Sequence, residues 1–234
     1  MKKLTKEEKE RYNKMISLED MSEEDMLKLK NSSVLVIGAG GLGSGALPVL
    51  AASGVGQIGI VEYDKIENNN LQRQTIYNVE DVGESKLEKA AAMILRKNPN
   101  SEIIKYNDEL NKSNIQSILK SFDIILDCTD NFNIRYLIND TCATMNKTLV
   151  YASVGEYEGM VSILHHKNKK CLRDLFPLQP EPLNEKGIFP TLPLITGSLQ
   201  ANETLKIIIE KGNNLDGNLL HFNILENTFY VLEL

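Results

Sequence analysis

The chain has 234 residues, 42% hydrophobic and 25% charged, the proportions of a globular protein large enough for one sizeable α/β domain. A net charge of −6 supplies no basic stripe to neutralise phosphates, which argues against a nucleic-acid partner. Apolar runs such as Ile58 to Val61 stop far short of the roughly 18 residues that a membrane helix needs, so no membrane span is expected.

Residues 1–31 alternate charges with sparse apolar positions and predict an N-terminal helical segment of one or two amphipathic helices. The charged start lacks the apolar stretch of a signal peptide. Cys128, Cys142 and Cys171 are too few and too scattered for a disulfide framework, so a cytoplasmic protein is expected. "SSVLVIG" reads as a strand buried on both faces, followed by a helix to Ser53. "QIGIVEYD" is a second strand that ends in acid, and "GESKLEKAAAMILRK" is a helix stopped by Asn98-Pro99. "EIIKY" and "FDIILDCTDN" continue the strands, "NIRYLINDTCATMNK" is a helix, and "TLVYASV" is a strand. This alternation predicts a Rossmann-like, doubly wound, mainly parallel sheet.

Beyond Gly155 the texture changes, and an antiparallel C-terminal extension is expected. "GMVSILHH" reads as an antiparallel strand, and residues 166–190 as a long, mobile, proline-rich crossover loop. "LITGSLQANETLKIIIEKG" predicts a helix with Gly212 as its C′ residue, and the tail predicts a hairpin around Glu226-Asn227. With no internal repeat and no second core, residues 1–234 are expected to form a single domain.

"GAGGLG", Gly38 to Gly43, matches G-x-G-x-x-G between a strand and a helix, where glycines permit close backbone approach and a helix N-terminus faces an anion. The alternative is tight strand–helix packing with no ligand. Glu62 lies at the end of the second strand, where an acid would bind ribose hydroxyls. This pair does not separate NAD from ATP. The stretch "EYDKIENNNLQRQ" does, because it adds Asn70, Arg73 and Gln74, with Lys86 and Asp130 further along. An arginine and a lysine for a triphosphate, with a carboxylate for Mg²⁺, suit nucleotidyl transfer, whereas hydride transfer needs no such cluster. Taken alone, Lys86 could equally be a surface lysine and Asp130 an N-cap.

With these segments in their order, the chain resembles the ThiF/MoeB/HesA enzymes related to ubiquitin-activating enzymes. The matching text is "RYNKM", "VLVIGAGGLGS", "EYDKIENNNLQRQ", "VGESKLEKAA", "DCTDNFNIRYLIN", "ASVGEYEGMVSI" and "LITGSLQANETLKII", over nearly the whole chain. The resemblance implies an ATP- and Mg²⁺-dependent adenylyltransferase that activates the C-terminal glycine of a small ubiquitin-fold carrier (ThiS/MoaD-like, ending in Gly-Gly), releasing pyrophosphate. It implies that Gly38, Gly40, Gly41 and Gly43 line the nucleotide and that Glu62 holds the ribose with Asp64 beside it. Asn70, Arg73 and Lys86 would contact the phosphates, with Gln74 and Asn131 also at the nucleotide, and Asp130 would hold Mg²⁺. It also implies a homodimer whose active site is completed across the interface. "NLQRQ" looks more like the sulfur-carrier activators than the tRNA-modifying cyclases.

Three departures stand out. Many family members bind zinc through two C-x-x-C pairs; here the first reads "CLRD" and no cysteine follows Cys171. His165, His166 and Asp174 are poor substitutes, so no zinc is expected. The cysteine that sulfur-transfer or thioester members carry before a glycine falls on Leu183, so covalent thioester chemistry is expected to be lost unless Cys171 serves. Lastly, Lys14 stands where the family has the arginine that reaches the neighbouring subunit, with Arg11 as the rival. A peptide C-terminus as acceptor, or a non-catalytic nucleotide- or carrier-binding member, are the alternative readings.

Overall fold

The structure, a computed structural model, describes residues 3–177 and 187–234. The β-branched runs form strands Ser33–Ile37 (β1), Gln57–Val61 (β2), Glu102–Tyr106 (β3), Ile124–Asp127 (β4), Thr148–Gly155 (β5), Glu158–Leu164 (β6), Asn218–Asn223 (β7) and Thr228–Glu233 (β8). They make one sheet in the order β3-β2-β1-β4-β5-β6-β7-β8. The first five pair in parallel and the last three add on antiparallel, as the change of texture after Gly155 predicts. β7 and β8 form the predicted hairpin.

The helices are Lys6–Arg11 (α1), Asn13–Ile16 (α2), Glu23–Asn31 (α3), Gly41–Ala52 (α4), Lys86–Lys97 (α5), Ile115–Leu119 (α6), Phe132–Met145 (α7), Leu172–Leu175 (α8) and Thr191–Ile209 (α9). Alternation along β1 divides the core. Val34 and Val36 face a layer that includes α3, α4, α5 and α9, while Leu35 and Ile37 face α6, α7 and α8. Cys128 and Cys142 are buried in these two layers and act as small hydrophobes.

α4 and α9 cross with their backbones nearly touching. A methyl carbon on Gly197 would collide with the carbonyl oxygen of Leu42, and one on Gly45 with that of Leu194. Gly197→Ala is therefore expected to lower unfolding free energy by about 1–3 kcal/mol, the usual cost of overpacking, as read by urea denaturation.

Two sequence expectations need correction. The last long helix ends at Ile209, where Glu210 adopts the left-handed conformation (φ 58°), so Gly212 is not its C′ residue. Its C-cap N–H bonds the Lys206 carbonyl, which ends the helix one residue earlier than a C′ glycine at 212 would. Within 166–190, residues Leu172–Leu175 form a helical turn, with Asp174 accepting from the Cys171 N–H at 2.7 Å. The expectation of one long irregular loop missed this local cap.

The N-terminal segment is tied down by charge. Lys30 lies 2.7 Å from buried Glu8, and Lys211 lies 2.6 Å from buried Asp25. Burial alone would raise both carboxyls, but these ammonium donors, aided by Thr5 and Ser22, hold them below their ordinary values of 4.5 and 3.8. Asp81 is likewise lowered, chiefly by its bond from Lys89. Depressed folded-state values contribute stability that is complete above the unfolded values and is lost as pH falls through the folded ones. The urea midpoint should therefore fall steadily as pH drops below about 4.5, and Glu8→Gln should shrink that slope.

Candidate active site

The sheet order reverses at β1, which lies between β2 and β4, and the crevice beyond the carboxyl ends of such strands is where an open α/β sheet takes its ligand. The Gly38–Gly43 turn opens into that crevice. Gly38 has φ +99°, donates its N–H to the Val61 carbonyl at 2.9 Å, and leaves no room for a side chain beside the Cys128 carbonyl. Thus the ends of β1, β2 and the segment after β4 meet at one residue. Gly40 caps α4 without a side chain, so first-turn N–H groups remain available to an anion. Behind the turn, the buried Tyr77 hydroxyl lies 2.8 Å from the Ala39 carbonyl and 3.2 Å from that of Lys86. Burial pushes this phenol well above its ordinary value, so it stays a neutral brace.

Glu62, buried at the end of β2, uses both oxygens structurally. One accepts the Ala39 N–H and the other accepts those of Tyr63 and Asp64, all at 2.9 Å. The oxygen bonded to Ala39 keeps a lone pair for a ribose hydroxyl, while the other has both of its acceptor sites filled. Lys86 opens α5, with Ser85 as N-cap; it is buried, and its ammonium lies 3.0 Å from half-exposed Asp64. Asn70 is partly occupied in shaping the turn. It is buried, accepts the Glu67 N–H and donates to Asn69, and its carbonyl takes the N–H groups of Arg73 and Gln74. It shapes the 3-10 turn Asn68–Asn70, from which Arg73 and Gln74 lie over Gly41 and Gly40. Arg73 donates to the Asn69 carbonyl at 3.0 Å, and the buried Gln74 Oε1 has no partner.

Asp130 follows β4 and is exposed, with no hydrogen bond or ion pair among the described residues. The N-cap of α7 is Asn131, which accepts from Asn133 and Ile134, so the N-cap reading of Asp130 is corrected and the oxygen of Asn131 is already engaged. Burial raises the pKa of both Tyr63 and Asp127, and the nearby charge of Asp130 adds to that upward shift. The structure therefore gathers the glycine turn, Glu62, Asp64, Arg73, Gln74, Lys86 and Asp130 around one crevice.

Lys14 and Arg11 are not there. Arg11 donates to the Lys97 carbonyl at 2.7 Å, at the far end of α5, and buried Tyr12 packs on Gly54 beyond the end of α4. Lys14 is exposed and makes no hydrogen bond or ion pair among the described residues.

The residues considered as zinc substitutes are dispersed. His165 bonds Asn139 at 2.8 Å, while His166 bonds Thr148 at 3.0 Å. Among the described residues no group of three or more His, Cys, Asp and Glu could hold a metal unaided. Burial and the bond to Asp174 push the Cys171 thiol up, which disfavours a thiolate. Leu183 lies outside the described residues. No helix among the described residues is long and apolar enough to cross a membrane.

Sequence reading passed over Asp127, Arg135 and Gln200. An acid ending an all-apolar strand, and a glutamine inside an apolar helix, were the available signals. Asp127 is fully buried; one oxygen takes the Thr129 N–H and hydroxyl, and the other has no partner. Burial raises its carboxyl, opposed by the charge of Arg135 and the bonds from Thr129.

An eight-stranded sheet of this order, parallel at its core and antiparallel at its end, with a glycine turn at its switch point, is a Rossmann-like α/β fold. The ThiF family pattern matches residues 12–234, and the chain belongs to the ThiF family. It is 40% identical over 235 residues to the sulfur carrier protein adenylyltransferase of Thermus thermophilus, covering 96% of this chain and 87% of that one. It is 41% identical to a probable molybdopterin-synthase adenylyltransferase of Porphyra purpurea, covering 95% of this chain and 60% of that one. With the adenylyltransferase and sulfurtransferase MOCS3 of Drosophila sechellia it shares 38% identity over 94% of this chain but spans only half of that protein. Among solved structures, Escherichia coli MccB superposes with a TM-score of 0.86 at 22% identity, over 98% of this chain and 71% of that one. The chain is thus a ThiF-type member of the nucleotidyltransferase class to which these named adenylyltransferases belong.

Proposed function

We propose that this protein uses ATP and Mg²⁺ to adenylate the C-terminal glycine carboxylate of a small ubiquitin-fold sulfur carrier. The observation that carries the reading is the arrangement of Arg73 and Lys86 about the glycine turn, opposite the free carboxylate of Asp130. Its support from relatives is the Thermus protein's name, a sulfur carrier protein adenylyltransferase, at 40% identity.

A carboxylate oxygen of the carrier attacks the α-phosphorus; the new O–P bond forms as the bond to the β-phosphate oxygen breaks, and pyrophosphate leaves with that electron pair. No protein base is needed, since a terminal carboxylate is ionised at neutral pH. Arg73, Lys86 and the α4 N-terminus hold phosphoryl oxygens, and Glu62 holds the ribose. Glu62, Asp64 and Asp130 against Arg73 and Lys86 leave this crevice one charge negative, unsuited to ATP without a further cation. Asp130 fits Mg²⁺, which commonly takes one or two protein carboxylates and fills its other positions with phosphate and water. When bound, the ion neutralises phosphate charge. We also propose a cytoplasmic homodimer in which Lys14, rather than Arg11, supplies the cation from the partner. Arg11 is already committed to its own α5. The thioester step is absent in this reading, because Cys171 is held as a thiol.

ATP–pyrophosphate exchange tests the proposal. Exchange should appear with a ubiquitin-fold carrier ending in Gly-Gly and disappear when its last glycine is removed. Background exchange with every such carrier encoded beside this gene would refute it.

A further inference from the structure

The segment between β4 and α7 carries one exposed carboxylate, Asp130, beside a backbone held at several points. Asp127 Oδ1 accepts the Thr129 N–H at 3.0 Å and its hydroxyl at 2.7 Å. Arg135, buried in the first turns of α7, donates Nη2 to the Thr129 carbonyl at 2.6 Å. Its guanidinium lies between two rings, 5.1 Å from the centroid of Phe132 and 5.6 Å from that of Tyr151. From the other side, Gln200 of α9 donates to the main-chain carbonyls of Asp127 (2.9 Å) and Val150 (3.1 Å), locking the ends of β4 and β5. Thr129 is thus held at its N–H, hydroxyl and carbonyl, and the next residue is Asp130.

Burying a guanidinium and a carboxylate without a direct bond between them is costly, and Asp127 Oδ2 and Arg135 Nε remain without partners. An apolar strand end would be cheaper if only packing mattered. We infer that Asp127 and Arg135 form a buried clamp on Thr129 and that Arg135 is a positioning residue for the metal-binding carboxylate of Asp130. This rests on the proposed role of Asp130 as the Mg²⁺ ligand. The clamp fixes the direction of a carboxylate that has no hydrogen bond of its own to orient it. Residues behind a metal ligand typically change metal affinity or activity by about 10- to 100-fold when altered.

The test titrates Mn²⁺, replacing Mg²⁺, into the full chain with a non-hydrolysable ATP analogue, followed by electron paramagnetic resonance. Calorimetry of the analogue in EDTA runs alongside. Asp130→Asn should weaken Mn²⁺ binding strongly. Arg135→Lys, which keeps the charge but loses the fork, should weaken it by about tenfold. It should leave affinity for the metal-free analogue unchanged. In the Asp130→Asn background, Arg135→Lys should add nothing. Thr129→Val, a milder change, should shift Mn²⁺ affinity in the same direction and serves if Arg135→Lys does not fold. Unchanged Mn²⁺ binding in Asp130→Asn would overturn the metal role on which the clamp depends. A shift in Asp130→Asn with none in Arg135→Lys or Thr129→Val overturns the clamp alone. So does an equal loss of metal-free and metal-bound affinity, which marks a merely structural residue. None of these readings requires a carrier, so absent pyrophosphate exchange would sink the adenylation reading without deciding the clamp.

Discussion

Lys86→Ala should lower carrier-dependent ATP–pyrophosphate exchange by about 10³-fold while the urea midpoint stays close to that of the parent chain. Two features of the site set this expectation. The ammonium is buried at the start of α5, 3.0 Å from Asp64, and its backbone N–H is bonded to the Asp64 carbonyl, also at 3.0 Å. A charge fixed in a partly desolvated place needs little reorganisation when negative charge builds on the phosphoryl oxygens, which is where one preorganised donor has its greatest effect. The stability side follows from the exposure of the partner. Asp64 is about half exposed, so water replaces the lost ammonium at the carboxylate, and a pair with one partner in solvent contributes about 1 kcal/mol. The loss should appear in kcat and kcat/KM together, because the interaction strengthens as charge develops. Asp64→Asn should cost far less. Equal activity in Lys86→Ala would return Lys86 to the role of a structural helix-start lysine.

The parallel half of the sheet was legible because its strands are short runs rich in Val, Ile and Leu, and helices such as Lys86–Lys97 carry start and stop chemistry of their own. Val34 to Ile37 and Ser85 to Lys97 show this directly. The antiparallel extension was legible from alternation in Asn218–Asn223 and Thr228–Glu233. What failed was local and short. Leu172–Leu175 depends on one cap between Asp174 and the Cys171 N–H, and Ile115–Leu119 is a five-residue helix too short for periodicity to register. At the candidate site, the charges that lie near the glycine motif, buried Glu62 and Lys86 as well as exposed Asp64 and Asp130, stood out by type and spacing. Asn70 reads as a phosphate contact, and the structure adds that its side chain also braces the turn beneath Arg73, a function that spacing does not encode. Asp127 and Arg135 were missed because they act through Thr129, and their partners come together only when α7 packs beside the end of β4.

A heterodimer of one Lys14→Ala protomer and one Lys86→Ala protomer should regain about half of wild-type exchange activity, although each homodimer alone is severely impaired. The reason lies in where the fold leaves Lys14. α4 and α5 both start at the crevice, at Gly41 and Lys86, and run away from it for 12 residues each. Each spans about 18 Å, and the segment carrying Lys14 sits at their far ends. Tyr12 packs on Gly54 just beyond α4, and Arg11 bonds the Lys97 carbonyl at the last turn of α5. Lys14 therefore cannot reach the phosphates of its own subunit, and Arg11 is already engaged as a helix-end donor. If Lys14 acts at all, it acts in trans. In the mixed dimer, the crevice of the Lys14→Ala protomer keeps Lys86 and receives an intact Lys14 from its partner, whereas the other crevice lacks both. One competent site of two gives the half-activity, and purification through two different affinity tags isolates the species. Wild-type activity in the Lys14→Ala homodimer would place Lys14 in solvent. An impaired Lys14→Ala homodimer with no recovery in the heterodimer would instead show that its loss acts within its own subunit.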